Sequence, residues 1–530
     1  MFKSILQLLN IKFATMYILG IHLGHDATAC LINDKGEIVA AIAEERLTRI
    51  KYHTGFPYVA IDKVIELAGI KKEEVTDVAV ATLRMFYQGT DDYNNYFFSR
   101  DLNYLRSIDL WNSSIPQNKF ATLGRLVIEQ FTRNEITATN ADSDAEKLTQ
   151  ALIQNAIIEC GFSKSKLHMV EHHHAHACSA MYTSGVQNAL VITMDGSGDG
   201  LCATVETAAN GKLTRVNEAS ADCSPGNFYS TVTAFLGFKR NRHEGKITGL
   251  AAFGDKQKYY NQLKKFLRFN KTSEQFEYDK PTESKLESKL NTVKRILQNT
   301  NTGNTYSNAF ESYLKNNFDM KADAQDLAAA VQAVLEDVTC EYVQHFRNKY
   351  DGKNILLAGG VFANVRVNQK VNELPGVEYI YIHQNMGDGG ISTGAALSVY
   401  YEVMNHPYQN YKPTHVYYGN NYSDTEIERA LQEMNISYTT ETNIEQRIAE
   451  LIHEGKVVGR FNGAMEYGPR ALGNRTIIAR PTEKGINDWL NKKLNRTEFM
   501  PFAPAVLYDE AKNLFNNFSY STAGYTAQFM

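Results

Sequence analysis

The feature that most constrains the fold of this chain is a weak internal repeat. Residues 17–43 read YILGIHLGHDATACLINDKGEIVAAIA, and residues 189–217 read ALVITMDGSGDGLCATVETAANGKLTRVN. Each copy runs from an apolar stretch through a Gly/Asp-rich bend into a strand rich in Thr, Ala and Cys. Each then has a glycine turn, Asp34-Lys35-Gly36 or Asn210-Gly211, and a further strand. Strand, bend and strand occurring twice predict a duplicated α/β domain. The bend glycines let a backbone approach a phosphate and present its N–H groups.

A third piece, residues 354–368 (NILLAGGVFANVRVN), reads as a buried strand, a Gly359-Gly360 turn and a helix start. A glycine pair after a strand suits a nucleotide's sugar or phosphate. The ordered trio resembles the actin-like ATPase (ASKHA) superfamily, in which two phosphate-binding hairpins face each other over a nucleotide. Between the lobes, residues 85–145 (rich in Tyr, Asn and Asp) and 255–322 (rich in Lys, Asn and Ser) read as insertions or substrate-facing subdomains. Residues 323–349 and 390–404 read as helices with apolar faces. The polar, aromatic stretch 406–424 reads as a linker, at whose end Ser423 and Glu426 form a capping box for a new helix.

A length of 530 residues suggests roughly two to four domains. The 43% hydrophobic content supplies large cores. Net charge is −4 with no long basic run, which argues against a nucleic-acid partner. The six cysteines form no C-x-x-C pair, so reduced thiols in a cytoplasmic protein are expected. No apolar run reaches the ~20 residues needed to span a bilayer, so no membrane association is expected. Residues 1–16 read as a frayed extension or as the product of an upstream start codon, with Tyr17 opening the first strand.

The strongest local chemical signal is Glu171-His172-His173-His174-Ala175-His176. His172 and His176 are four apart and share one helix face, a spacing that can hold one metal ion. A histidine-rich surface helix is the alternative. A carboxylate is needed as third ligand, and Asp388, in the Gly-rich loop Met386-Gly387-Asp388-Gly389-Gly390, is the best candidate. Its alternative role is a helix N-cap. Two histidines and an aspartate suit iron(II) or zinc with open positions. Asp195, Gly196, Gly198 and Gly200 in the second bend read as phosphate and metal contacts, or as a plain turn. In the first bend His25, beside Asp26, reads as a phosphate-orienting residue or general base, or as a structural histidine. The loop Arg242-His243-Glu244-Gly245-Lys246 reads as a solvated turn, and Glu44-Glu45-Arg46 as a charged helix end close to the cleft.

Toward the C-terminus, the loop from Glu466 to Arg475 (EYGPRALGNR) follows the strand Val457–Phe461. With Lys492, Lys493 and Arg496 it forms a basic set able to grip a phosphate-bearing substrate. Surface arginines on a structural loop are the alternative.

These segments together resemble the NodU/CmcH-type O-carbamoyltransferases. The carriers are GIHLGHDATA, AEERLTRIKYHTGFP, EHHHAHACSA, MDGSGDG, KITGLAAFGD, LAGGVFANVRVN, GDGGISTGAA and MEYGPRALGNR, spread over residues 17–530. The resemblance implies an actin-like carbamoyltransferase domain over 17–405 and a YrdC-like, carbamoyl-adenylate-forming domain over 425–530. It implies that carbamoyl phosphate and ATP, with Mg2+, give carbamoyl-adenylate, whose carbamoyl group passes to a hydroxyl of a small-molecule or saccharide acceptor. By motif it places His172, His176 and Asp388 on a divalent metal, and His25 and Asp26 at the catalytic turn. It places Asp195, Gly196, Gly198, Gly359, Gly360 and Asn364 on the nucleotide. Arg470, Arg475, Lys493 and Arg496 fall on carbamoyl phosphate or ATP in the second domain. Homodimerisation is left open. Ala464 stands where family members often carry arginine, and the family's H-x-DGTARxQ and NTSFN segments are not found, so an incomplete YrdC-like domain is expected. The rival readings are a tRNA threonylcarbamoyl transferase-like enzyme and a nucleotide-binding regulatory protein that no longer forms the adenylate.

Overall fold

Both halves of the sequence repeat fold as antiparallel three-strand meanders. In the computed structural model, which describes residues 16–84, 96–107, 138–279, 305–482, 485–494 and 502–515, the first copy gives β1 (Tyr17–His22), β2 (Thr28–Ile32) and β3 (Ile38–Ala43). Adding β4 (Val75–Val80) and β5 (Lys166–Met169) parallel to β1 makes a five-stranded sheet of order β3-β2-β1-β4-β5. The second copy gives β6 (Ala189–Gly198), β7 (Leu201–Ala209) and β8 (Lys212–Ser220). A short hairpin, β9 (Arg268–Asn270) and β10 (Gln275–Glu277), follows. Then β11 (Asn354–Ala358) and β12 (Tyr379–Ile382) join parallel to β6, giving the order β12-β11-β6-β7-β8. The two sheets therefore share one strand order, and the fold is mixed α/β.

The inner strands β1, β2 and β11 read as nearly unbroken apolar runs because both faces of the sheets are covered there. Along β1, Leu19 and Ile21 point to one core and Ile18 to another. The first core holds helix α1 (Tyr58–Ala68), which buries Ala60, Ile61, Val64 and Ile65 and ends at Gly69. On the far side of the second sheet lies the core that buries one face of a 27-residue helix, Ala324–Tyr350. Between the sheets, helix α2 (His172–Met181) and helix α3 (Ile391–Ser398) contribute small side chains to a shared central core. Gly394 of α3 makes that closeness possible. A Cβ there would sit 1.7 Å from the Ala175 carbonyl of α2. Both buried helices start at the same end of the molecule, beyond the carboxyl ends of β5 and β12.

In the described part of 255–322, Tyr306, Phe310 and Leu314 are fully buried in the core of the second sheet, and in the described part of 85–145, Tyr96, Phe97 and Leu105 pack into the core of the first. These parts are integral to the lobes, because their aromatic rings complete the apolar faces of the sheets. The remainder of both stretches, residues 1–15, residues 516–530 and Arg496 lie outside the described residues.

The linker ends as anticipated in a capping box, Ser423 with Glu426, on the helix Asp424–Glu433. Beyond it, β13 (Val458–Phe461) and β14 (Arg475–Ile478) pair antiparallel. All six cysteines are free. Among the described residues no helix is long and apolar enough to cross a membrane.

Glu44, expected to be a surface charge near the cleft, is instead 2% exposed and accepts from the Val59 and Ala60 amides at the start of α1. Burial, partly offset by those amides, lifts its pKa to about 7. Between its ordinary value of 4.5 and about 7, the folded carboxyl keeps a proton that the unfolded chain has released. Stability relative to Glu44→Gln is therefore expected to fall as pH rises through that window. Urea unfolding of both proteins across the range checks it; a pH-independent difference contradicts it.

Candidate active site

Four chain segments deliver polar side chains to one point between the sheets. Asp195 ends the apolar run of β6, His172 and His176 occupy the first turns of α2, Asp388 stands before α3, and the end of β1 and the bend after it bring His22 and His25. All lie at the carboxyl ends of strands, where open α/β sheets place their sites.

Asp195 Oδ1 accepts from the Gly196 amide, and Oδ2 faces His176 Nε2 at 3.3 Å and His172 Nε2 at 3.7 Å. Asp388 Oδ1 faces the same two nitrogens at 3.4 Å and 3.6 Å. Its Oδ2 turns to His25 Nε2 at 3.1 Å and His22 Nε2 at 3.9 Å. One ligand-type atom from each of His172, His176, Asp195 and Asp388 lies within 4.8 Å of the others. None of these four atoms has a hydrogen-bond partner, although all are buried. Buried polar atoms are normally paired. Separations of this size match ligands sharing one ion, where metal–nitrogen and metal–oxygen distances of about 2.0–2.2 Å put neighbouring donors about 3.3–3.5 Å apart.

The electrostatics agree. Burial alone would keep His172 neutral, but Asp388 and then Asp195 outweigh it and lift its pKa to about 9. His25 is lifted to about 10 against burial by Asp388 and Asp26. Burial, joined at Asp388 by repulsion from Asp195, would raise the two carboxyls. The facing histidines overcome this and hold both below the ordinary aspartate value. The cluster thus calls for positive charge, which a divalent cation supplies. Elsewhere burial wins: His173, its burial joined by repulsion from His172, and His383 are pushed down to about 3, and burial pushes His22 down to about 4 even with Asp388 3.9 Å away.

Local architecture keeps the rings in place. Glu171 N-caps α2 by accepting from the His173 and His174 amides. Asp199 accepts from the His172 amide at 2.9 Å and from the Leu83 and Arg84 amides at 3.0 Å each, tying α2 to the end of the first sheet. Gly198 leaves room for the His172 ring, 2.1 Å from where a Cβ would stand. His173 Nδ1 meets Thr193 Oγ1 at 2.7 Å, a structural role, and His174 faces away from the cluster toward Glu206 and Glu402.

The other expected site residues are placed as follows. Asp26 has φ 62° and its Oδ2 is 3.3 Å from His25 Nδ1. Gly360 lies against Asp195. Asn364 caps the helix Val365–Asn372 and exchanges hydrogen bonds with Gln332. Arg470 Nη2 donates to the Ala363 carbonyl, bringing the C-terminal loop against the Gly359–Asn364 segment. The Nη atoms of Arg475 donate to the carbonyls of Asn420, Asn462, Gly463 and Asn474, and its guanidinium lies 3.6 Å from the Phe461 ring centre. Lys493 ends the helix Ile486–Lys493 and is exposed.

Sequence reasoning missed two contributors, His22 and Tyr467, and read Asp195 as a phosphate and metal contact without setting it beside His172, His176 and Asp388; its place at the end of a buried strand signals a carboxylate pointing into the site. His22 sits one residue past a fully apolar run, the signal of a buried polar group. Tyr467, within the EYGPR motif, is buried with its hydroxyl 2.8 Å from Thr393 Oγ1 and donating to the Gly389 carbonyl at 3.0 Å, next to Asp388. Tyr52 donates to the Arg242 carbonyl at 2.8 Å, linking the first repeat's lobe to the second's.

The family model described as "Carbamoyltransferase N-terminus" matches residues 17–397, and "Carbamoyltransferase C-terminus" matches 449–530. An uncharacterized protein of Synechocystis is 29% identical over 93% of this chain and 75% of its own length. One of Methanocaldococcus jannaschii is 28% identical over 93% of this chain and 81% of its own. Nodulation protein NolNO of Sinorhizobium fredii is 27% identical over 93% of this chain and 64% of its own. Among solved structures, component A of the Acidaminococcus fermentans (R)-2-hydroxyglutaryl-CoA dehydratase is similar at a TM-score of 0.36 and 18% identity, covering 73% of this chain and 99% of that one.

Asp199→Ala leaves three amides without their acceptor and is expected to cost about 1–3 kcal/mol. Urea denaturation with an unchanged m-value checks it; a loss below about 0.5 kcal/mol contradicts the anchoring role.

Proposed function

This chain belongs to the carbamoyltransferase family, and from that premise we propose that it is an ATP-dependent O-carbamoyltransferase with an actin-like transfer domain at 17–405 and a YrdC-like domain at 425–530. Water hydrolyses carbamoyl phosphate to carbamate and phosphate, a carbamate oxygen attacks the α-phosphorus of ATP to give carbamoyl-adenylate and pyrophosphate, and the carbamoyl group passes to a hydroxyl of a small molecule or saccharide. The observation that carries this reading is the convergence of His172, His176, Asp195 and Asp388 with His25 between two sheets of the same strand order.

His172, His176, Asp195 and Asp388 would hold the divalent cation, iron(II) or zinc. When bound, the cation supplies Lewis acidity that polarises an oxygen of the substrate. The remaining steps fall to side chains and backbone. Gly196, Gly198 and the Gly359-Gly360 turn let the nucleotide approach closely. His25, with Asp26 and Asp388 at its two ring nitrogens and its pKa lifted to about 10, stays an imidazolium near neutral pH and orients the substrate's phosphate, and the acceptor's proton goes to a phosphate oxygen of the departing AMP. The acceptor oxygen bonds to the carbamoyl carbon, the bond from that carbon to the adenylate oxygen breaks, and AMP leaves with its electron pair. A carbamate is a weak electrophile; linkage to AMP gives it a good leaving group, and positioned donors stabilise the oxyanion that forms. Arg470, whose Nη2 donates to the Ala363 carbonyl of the Gly359–Asn364 segment, serves carbamoyl phosphate or ATP.

His172→Ala and Asp388→Ala are each expected to lower transfer by at least about 10²-fold with the fold retained. Bound metal, measured by elemental analysis, should fall with it. Survival of both activity and metal content contradicts the assigned centre. Arg470→Ala is expected to block ATP-dependent pyrophosphate release while sparing transfer from supplied carbamoyl-adenylate. Loss of both steps contradicts the division of labour.

A further inference from the structure

We infer that the opposite face of α2 carries a second, zinc-type metal site built by His174, Cys178 and Glu402. At about 100° per residue, His174 and Cys178 point about 160° away from His172 and His176, so the two sites share a helix and no ligand. His174 and Cys178, four residues apart, lie one turn above the other, as chelating pairs on a helix do. Glu402 comes from the π-helical turn Val399–Val403 that continues α3.

The geometry is close to that of a three-ligand zinc site. Cys178 Sγ is 3.4 Å from His174 Nε2 and 3.7 Å from Glu402 Oε1. Zinc bonds of about 2.3 Å to sulfur and about 2.0–2.2 Å to nitrogen and oxygen, at tetrahedral angles, put sulfur about 3.5–3.7 Å from the other two donors. Only the 2.7 Å pair His174 Nε2 and Glu402 Oε2 must open, to about 3.3–3.5 Å.

The surroundings are those of a supported metal ligand. His174 Nδ1 lies 3.2 Å from Glu206 Oε1, and Glu206 is 1% exposed and held by Arg215 at 2.9 Å. A carboxylate behind the far ring nitrogen fixes the tautomer that leaves Nε2 for a metal. Glu402 is itself oriented by the Tyr182 hydroxyl on Oε1 and the Ser398 hydroxyl on Oε2, both at 2.9 Å. Charge points the same way: Glu171, Glu206 and Glu218 surround the single Arg215, leaving Glu402 to the imidazole and thiol. A thiol, an imidazole and a carboxylate select zinc among abundant divalent ions. Binding would release the Cys178 thiol proton to solvent. Side-chain exposures of 26% for His174 and 31% for Glu402 leave the fourth position open to water.

The test is cobalt(II) titration of the metal-stripped full chain. The wild type is expected to bind a cobalt ion that gives a near-ultraviolet thiolate-to-cobalt charge-transfer band. Cys178→Ser should lose that band and one equivalent of metal. Glu206→Gln should keep the band with about 10–100-fold weaker binding. His172→Ala should retain the band, so that failure of the catalytic centre and failure of this site are read separately. A wild-type spectrum without a thiolate band overturns the proposal even if Cys178→Ser fails to fold. A band that persists in folded Cys178→Ser overturns it as well.

Discussion

Two carboxylates buried side by side are the constraint on which the rest of the structure turns. Asp195 and Asp388 share a pocket whose walls are histidine rings, and their repulsion in low dielectric is tolerated only with compensating positive charge. Each carboxylate comes from a different stretch of the second lobe, and the histidines come from the first bend and from α2. The cluster therefore depends on both sheets keeping their positions. Glycine at 394 lets the two central helices touch, and the Asp199 carboxylate ties α2 to the first sheet. Burying donors in this way is costly in stability, and it is the kind of cost that accompanies a functional site.

A substantial part of this was legible in the sequence. The repeat anticipated two meanders, and its glycine turns fell where the hairpins turn. The four-residue spacing of His172 and His176 anticipated a shared helix face, and the Gly-rich loop around Asp388 anticipated a backbone able to bring a carboxylate close. Asp195 was legible as a phosphate and metal contact, but not as a neighbour of the histidine cluster, because a Gly/Asp-rich bend looks the same whether its carboxylate points to a phosphate or into that cluster. The pleat of β6 decides, and the pleat is known only once the register is known. Nor did the run of histidines reveal that His173 is a buried structural group and His174 faces another layer. That depends on which elements pack on each side of α2.

The C-terminal loop makes the same point in the opposite direction. Two arginines in EYGPRALGNR looked equivalent in the sequence. In the fold Glu466 gathers the Leu472, Asn474 and Arg475 amides, which turns Arg475 back onto backbone carbonyls. Arg470 is left pointing to the Gly359–Asn364 segment. Tyr467 enters the central core beside the Asp388 loop, so the C-terminal segment and the candidate metal centre are mechanically continuous. Short side-chain hydrogen bonds to backbone, invisible to motif reading, set these directions.

The account rests on one cation held by His172, His176, Asp195 and Asp388. Crystals of the full chain, with anomalous diffraction recorded at the iron and zinc edges, test it most directly. The expected result is an anomalous peak about 2.0–2.2 Å from His172 Nε2, His176 Nε2, Asp195 Oδ2 and Asp388 Oδ1. A metal-loaded crystal with no peak there, and with these side chains hydrogen-bonded to one another instead, would contradict it.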